Sequence, residues 1–354
     1  MKAVEVTEYG GPEVMRLVDL PKPSAGPREV IVKLAFVGIN FKDVYMRTGV
    51  YKDRPMGPSG IDYEPKFPFV LGLEGAGTVE ELGAGVEDLA PSDRVAFMEG
   101  IGAYAEYVAV PDWRVVKVPD AVSLELAAAT QLQGSTAHYL CHAFTTLGPG
   151  SSCLAHAGAG GVGHILVQLA KNQGARVLTT VGNEEKAEFV RQLGADVIIP
   201  YREADFREVV MAETDGQGVD IVWDSIGIET IHNSIRCAKT QGICVLFGSV
   251  SGQVNSLAPL ELGAAGSVLF TRSHVEHFTR NTEEVRMRAD GIFRGISEGW
   301  LEISVDRILP FDDFAEAQRA LEARETKGKV LLSLSREGGM ERTPGRGEGA
   351  THAG

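Results

Sequence analysis

The clearest chemistry in the sequence lies in Gly158-Ala159-Gly160-Gly161-Val162-Gly163, glycines at a G-x-G-x-x-G spacing. The apolar run Cys153–Ala157 precedes them and the helix-like His164–Ala170 follows. Without Cβ atoms, glycines let a strand turn sharply into a helix and let backbone N–H groups approach a pyrophosphate, whose charge the helix N-terminus favours. The strand–turn–helix setting makes the motif a dinucleotide signal rather than a loose glycine loop. Gly158, Gly160, Gly161, Val162 and Gly163 are its expected phosphate-side residues. About 20 residues further on, where an acid would take a ribose diol, stands Val181. Gly182 and Asn183 follow, then Glu184 and Glu185 beyond the strand end, where they can complement a helix dipole. Lys186, with Tyr201-Arg202 at the end of the next strand, suits a 2′-phosphate, which favours NADPH over NADH. The alternative for Lys186 is an ordinary solvated helix position.

Positioning such a turn needs a parallel α/β sheet, and strands and helices do alternate from Ser152 to about Phe270. Earlier, from Lys2 to about Pro119, short β-branched runs such as Val30–Val32, Arg94–Phe97 and Val115–Val116 are broken by Gly and Pro, the pattern of a strand-rich domain. Between them an Ala/Leu-rich helix is expected from Ser123, a plausible N-cap, to about Phe144, with Gly134 a break or a close approach. A helix at 283–299, a strand at 307–309, a helix at 314–323 and a strand at 330–334 resume mixed structure, expected to pack back on the first domain. The chain of 354 residues, 44% hydrophobic, is long enough for two domains. Its 34 basic and 48 acidic residues give a net charge of −14, which makes nucleic acid an unlikely partner. With no signal-type start and no run of about 18 apolar residues, a cytoplasmic protein without a membrane span is expected. Cys141, Cys153, Cys237 and Cys244 form no C-x-x-C pair and read as buried thiols. From Arg336 to Gly354 there is no Ile, Leu, Val or Phe, so that tail is expected to be disordered.

The chain resembles the zinc-independent, zeta-crystallin-like quinone oxidoreductases of the medium-chain dehydrogenase/reductase superfamily. The likeness runs from Met1 to about Leu334. It rests on Tyr9-Gly10-Gly11-Pro12-Glu13-Val14, on Gly38-Ile39-Asn40-Phe41-Lys42-Asp43-Val44-Tyr45-Met46-Arg47-Thr48-Gly49, on the glycine turn with Gln168 and on Asp224-Ser225-Ile226-Gly227. The resemblance implies an α/β protein with a GroES-like β-rich catalytic domain, residues 1–127 completed by 272–335, and a Rossmann doubly wound domain, residues 128–271. It also implies NADPH in the cleft and a homodimer. Its cofactor pattern falls on Gly161 and Val162 at the pyrophosphate, on Gly182, Lys186, Tyr201 and Arg324 around the adenosine phosphate, and on Phe247, Gly248 and Ser249 near the nicotinamide. The segment Tyr51–Phe69 looks longer than the pattern and would reshape substrate access.

Zinc alcohol dehydrogenases of the superfamily place a Cys at or near Gly38 and a His in a G-H-E triplet that here reads Gly72-Leu73-Glu74. Catalytic zinc is therefore not expected, nor is a structural zinc without clustered cysteines. The pairs His138/His142 and His274/His277 lack a third ligand in sequence reach. Hydride transfer to a quinone leaves charge on oxygen, which the Asn40 amide and Tyr45 hydroxyl would stabilise, with Tyr51 a further donor or stacking surface. Asp43 and Arg47, one helical turn apart, are expected to pair. An α,β-unsaturated ketone or aldehyde makes nearly the same demand, and the preference for quinones comes from the resemblance. The rival of another class is an NADPH-binding protein without turnover, structural or RNA-binding.

Overall fold

The computed structural model describes residues 1–52 and 66–334, so the expected tail at 336–354 and most of the long 51–69 segment lie outside the described residues. β1 (Lys2–Val6) and β2 (Met15–Asp19) pair antiparallel. The long β3 (Glu29–Gly38) then leads into α1 (Phe41–Thr48). β4 (Phe69–Val70) joins β1, while β5 (Glu74–Leu82), β6 (Arg94–Met98), β7 (Tyr107–Pro111) and β8 (Val115–Lys117) build on β3. Their β-branched residues fill one core, in which Val30, Val32, Val79, Val95, Phe97 and Val110 are buried.

α2 (Leu124–His142) starts where the sequence places its cap, for Ser123 Oγ accepts from the Leu126 N–H at 3.1 Å. It runs unbroken past Gly134, which is a close approach: a Cβ there would lie 3.1 Å from Ile292 Cγ1. The boundary drawn at residues 127/128 falls inside this helix.

The parallel sheet follows, as β9 (Ser152–Ala155), α3 (Gly161–Asn172), β10 (Arg176–Val181), α4 (Glu184–Gln192), β11 (Val197–Pro200), α5 (Phe206–Glu213), β12 (Val219–Asp224), α6 (Ile231–Cys237) and β13 (Ala238–Leu246). Two elements that the sequence pattern did not single out complete it, α7 (Pro259–Ala264) and the edge strand β14 (Leu269–Arg272). The order is β11-β10-β9-β12-β13-β14, all parallel, so the winding reverses between β9 and β12. A crevice must open there at the carboxyl ends of the strands.

α8 (Thr282–Ser297) packs against α2, and β15 (Val305–Pro310), α9 (Phe314–Glu322) and β16 (Lys329–Ser333) return to the first sheet. β16 runs antiparallel to β3, with Leu331 opposite Gly38, so the returning C-terminal strands join the seven-stranded sheet built on β3, while β1, β2 and β4 form a three-stranded sheet of their own.

Lys329 welds that return to the site. Its fully buried Nζ donates to Glu74 Oε2 at 2.5 Å and to Asn40 Oδ1 at 2.7 Å. Glu74 Oε1 accepts from the Leu132 N–H of α2 at 2.6 Å. One ion pair therefore ties β16, β5, the start of α1 and α2. Lys329→Met leaves Glu74 a buried carboxylate without its cation and should cost about 3–5 kcal/mol in urea unfolding. The double variant with Glu74→Gln should recover part of the loss, and a Lys329→Met protein as stable as wild type would refute this account.

Candidate nucleotide-binding cleft

The carboxyl ends of the six parallel strands line a cavity of about 490 Å³. At about 4.8 Å between strands, its β11 and β14 ends lie about 24 Å apart. Midway, after β9, comes the glycine turn. A Cβ on Gly158 would fall 2.0 Å from Thr179 Oγ1 and one on Gly163 2.2 Å from the Ala157 carbonyl, so only glycine lets this strand and helix meet. Gly160 caps α3 without a side-chain oxygen, which leaves the first-turn N–H groups to water or an anion. Gly160, Gly161, Val162 and Gly163 border the cavity; Gly158 supports the turn from behind. Gly328 presses on the same turn, donating its N–H to Ala159 O at 2.9 Å.

At the β11 end, β10 stops at Val181 and Asn183 caps α4, accepting from the Lys186 N–H at 2.9 Å. Glu184 and Glu185 project into solvent, their side chains 82% and 72% exposed. Lys186 turns inward and donates to the Arg324 carbonyl at 2.7 Å, and burial lowers its pKa from the ordinary value. The Tyr201 hydroxyl sits beside Gly182, where a Cβ would lie 3.0 Å from it. Lys186, Tyr201, Arg202 and Arg324 border this end together. Arg324 arrives from the returning C-terminal segment with φ +58° and donates to Val250 O at 3.4 Å.

The β13–β14 end is bordered by Phe247 and Gly248, by Ser273–Glu276, by Asn40–Lys42 of α1 and by Tyr51. Ser249 lies just behind: its Oγ donates to Gly248 O at 2.8 Å and its N–H to the Tyr45 hydroxyl at 3.3 Å. Two expected donors are not presented to the cavity. The Asn40 amide spends its hydrogens on Gly38 O (3.2 Å) and Glu74 Oε2 (2.9 Å). Tyr45 does not border the cavity; it packs edge-on to Tyr51 with ring centres 5.6 Å apart, and burial pushes its hydroxyl up to about 12. Tyr51 does border it, and is buried.

The sequence reading assigned no role to several cavity residues. Gln133 of α2 lies across Gly161, where a Cβ would meet its amide at 2.2 Å, and its buried Oε1 has no hydrogen-bond partner among the described residues. Tyr139 reaches the wall with its hydroxyl 3.0 Å from Ser273 Oγ. Both were hidden in the apolar pattern of α2. Asp224 has a structural purpose: it accepts from the N–H groups of Ile226 (2.8 Å) and Gly227 (3.0 Å) and from the hydroxyls of Thr230 and Ser234 (both 2.7 Å), shaping the turn after β12.

The expected Asp43–Arg47 pair does not form. Arg47 donates instead to Gln318 Oε1 (2.7 Å), Gly10 O (2.5 Å) and Glu322 (2.6 Å), because tertiary partners outbid a neighbour on its own helix. It reaches Asp43 only through Gln318 and Tyr104, whose hydroxyl donates to Asp43 Oδ2 at 3.2 Å. Asp43 Oδ2 also accepts from the Asn40 N–H at 2.8 Å, while Oδ1 is buried without a partner among the described residues.

Zinc does not fit these residues. Leu73 is fully buried, Glu74 is taken by Lys329, and among the described residues no three His, Cys, Asp or Glu side chains come together to hold a metal. His138 and His142 stack at 4.4 Å, and burial pulls His138 down to about 3; His274 and His277 lie 5.8 Å apart. The four cysteines are buried thiols, their pKa values raised by burial.

Comparison with known proteins bears on this geometry. Residues 26–120 match the alcohol dehydrogenase GroES-like domain and residues 161–290 the zinc-binding dehydrogenase model. A 2-haloacrylate reductase from Burkholderia is 36% identical over 93% of this chain and 98% of its own. A quinone oxidoreductase from Pseudomonas aeruginosa is 36% identical over 94% and 99%. The crystal structure of the Escherichia coli quinone oxidoreductase complexed with NADPH superposes with a TM-score of 0.89, at 34% identity, covering 94% of this chain and all of that one.

Burial is the main cause that raises the Asp43 carboxyl from its ordinary 3.8 to about 7. A folded-state pKa above the unfolded one makes the contribution whole below 3.8 and lost as pH rises through about 7. Wild type should therefore lose about 1–3 kcal/mol relative to Asp43→Asn between pH 4 and 8, read from melting curves. Parallel pH profiles would show that Asp43 stays ionised.

Proposed function

The chain belongs to the quinone oxidoreductase family of the medium-chain dehydrogenase/reductase superfamily, and from that premise we propose that it reduces quinones with NADPH, without a metal ion, in the cleft at the carboxyl ends of its parallel sheet. The observation that carries the reading is the cavity itself, with a cationic end and a glycine turn on one sheet and an opposite end closed by α1 of the other. The glycine turn and the uncapped start of α3 suit a pyrophosphate. Lys186, Tyr201, Arg202 and Arg324 suit the adenosine phosphate, and no carboxylate follows β10 into the cavity to prefer a ribose diol. When bound, NADPH supplies hydride. The protein's share is to hold the acceptor against Phe247 and Gly248, exclude water with the walls of α1 and α2, and stabilise charge on oxygen.

A second reading has its own support. The 36% identity to a 2-haloacrylate reductase favours conjugated alkenes, for which the site must again stabilise an oxygen while hydride adds to carbon. A homodimer belongs to the same proposal, since β14 is a sheet edge carrying Leu269 at 62% exposure and neighbouring α7 offers Leu260 at 83%. A cytoplasmic setting suits four cysteines kept as thiols, and no helix among the described residues is long and apolar enough to cross a membrane.

The test follows NADPH absorbance over a panel of quinones and conjugated enones or enals, with and without a chelator. Turnover with quinones that survives chelation is expected. Loss on chelation would overturn the metal-free claim, and inertness to every acceptor would leave a binding protein. Lys186→Ala should weaken NADPH about 10- to 100-fold with little change for NADH; equal effects would remove the phosphate assignment. Sedimentation should give a dimer that Leu269→Lys dissociates, and a monomeric wild type would refute that assembly.

A further inference from the structure

We propose that Lys42 is the charged group that meets the acceptor, its ammonium binding the oxygen that gains negative charge and giving that oxygen its proton. The inference rests on the reductase reading above and adds the residue that completes the chemistry.

Reduction of a conjugated carbonyl leaves charge on oxygen and then needs a proton there. Of the neutral donors suggested by the sequence, Asn40 has its amide hydrogens bonded elsewhere and Tyr45 does not border the cavity. Of the lysines and arginines bordering the cavity, Lys186 and Arg202 belong to the β11–β10 end, Arg324 gives its guanidinium to Val250 O in the loop after β13, and Lys42 stands on the α1 wall. It stands two residues after Asn40 on α1, opposite Glu276 in the turn after β14. Its Nζ lies 2.5 Å from Glu99 Oε1 and 3.5 Å from Glu276 Oε2, both carboxylates fully buried. Arg114 Nη1, 3.3 Å from Glu99 Oε2, holds Glu99 from behind. A lone buried ammonium would shed its proton, whereas two carboxylates keep this one charged. The longer contact to Glu276, itself a cavity wall, is the one an acceptor oxygen can replace while Glu99 keeps its hold.

The step balances. A quinone takes hydride, with its two electrons, from NADPH and becomes a hydroquinone monoanion. An N–H bond of Lys42 breaks as an O–H bond forms, giving the hydroquinone, and water returns a proton to the amine. A conjugated ketone gives an enol in the same way.

If Lys42 were only an ion-pair strut between α1 and the β14 turn, its charge would not act on a bound phenol. The probe is 4-nitrophenol, titrated by absorbance into the full chain saturated with NADP⁺. Its pKa when bound to wild type should fall by about one unit relative to free probe, equivalent to a tenfold preference for phenolate. Lys42→Met should abolish that shift while leaving NADPH affinity, read by fluorescence, unchanged. Lys42→Arg should keep the shift but not quinone turnover, because guanidinium does not release its proton. An unshifted or unbound probe in wild type would overturn the proposal whether or not Lys42→Met folds, as would an equal shift in a folded Lys42→Met. Failure of wild type to bind NADPH would instead overturn the reductase reading.

Discussion

The ion pair between Lys329 and Glu74 is the constraint to which the rest of the cleft answers. Neither group touches water, and the Asn40 amide shares both. Desolvating two charges costs roughly what their attraction returns, so such a pair adds little net stability and is better understood as fixing geometry. Here the geometry is that of four elements, since β16, β5, α2 and the first residue before α1 must all reach one point. Gly38 shows how tightly: a Cβ there would lie 2.5 Å from Glu74 Oε2 and 2.8 Å from both Ala128 O and Lys329 Cε. A glycine that could be taken for a flexible strand end is thus the floor under a buried ion pair.

That packing also explains why the pocket's chemistry differs from a metal site built on the same frame. The oxygen that a cation would need from Glu74 already faces an ammonium held by the polypeptide, and Leu73 beside it is in the apolar core. With no metal ion to polarise an acceptor, the demand for charge stabilisation falls on side chains. The wall offers a lysine held by two carboxylates, on α1 rather than at the β10 and β11 strand ends. A chain with net charge −14 thus gathers Lys42, Lys186, Arg202 and Arg324 around one cavity.

What the sequence made legible was local. The glycine turn, the cap at Ser123 and the valine at the end of β10 each depend on a few consecutive residues, and the structure has them as expected. Arg324 was legible through the resemblance alone, because 138 residues separate it from Lys186, whose ammonium meets its carbonyl. The misses were tertiary. Asp43 and Arg47 are spaced as an ion pair, yet Gln318 and Glu322 of α9 claim the guanidinium, and no single-helix rule contains them. Lys42, Glu99, Arg114 and Glu276 sit in separate segments of chain, so no local spacing pairs their charges. Edge strand β14 is short, with Leu269 exposed, and gave no alternating signal.

α1 illustrates how one short helix can carry both duties without conflict. Asn40 and Asp43 form a reciprocal cap at its start, Gly49 closes its end at φ +77°, and Arg47 fastens it to α9. These contacts use the helix face turned toward the catalytic core. Phe41 and Lys42 border the cavity, and the Tyr45 hydroxyl accepts from the loop after β13. A helix of eight residues has little intrinsic stability, so its orientation toward the coenzyme sheet must come from these fastenings. Asn40 and Asp43 thus hold the backbone from which Phe41 and Lys42 border the cavity, and Glu99 and Glu276 fix where the Lys42 ammonium stands.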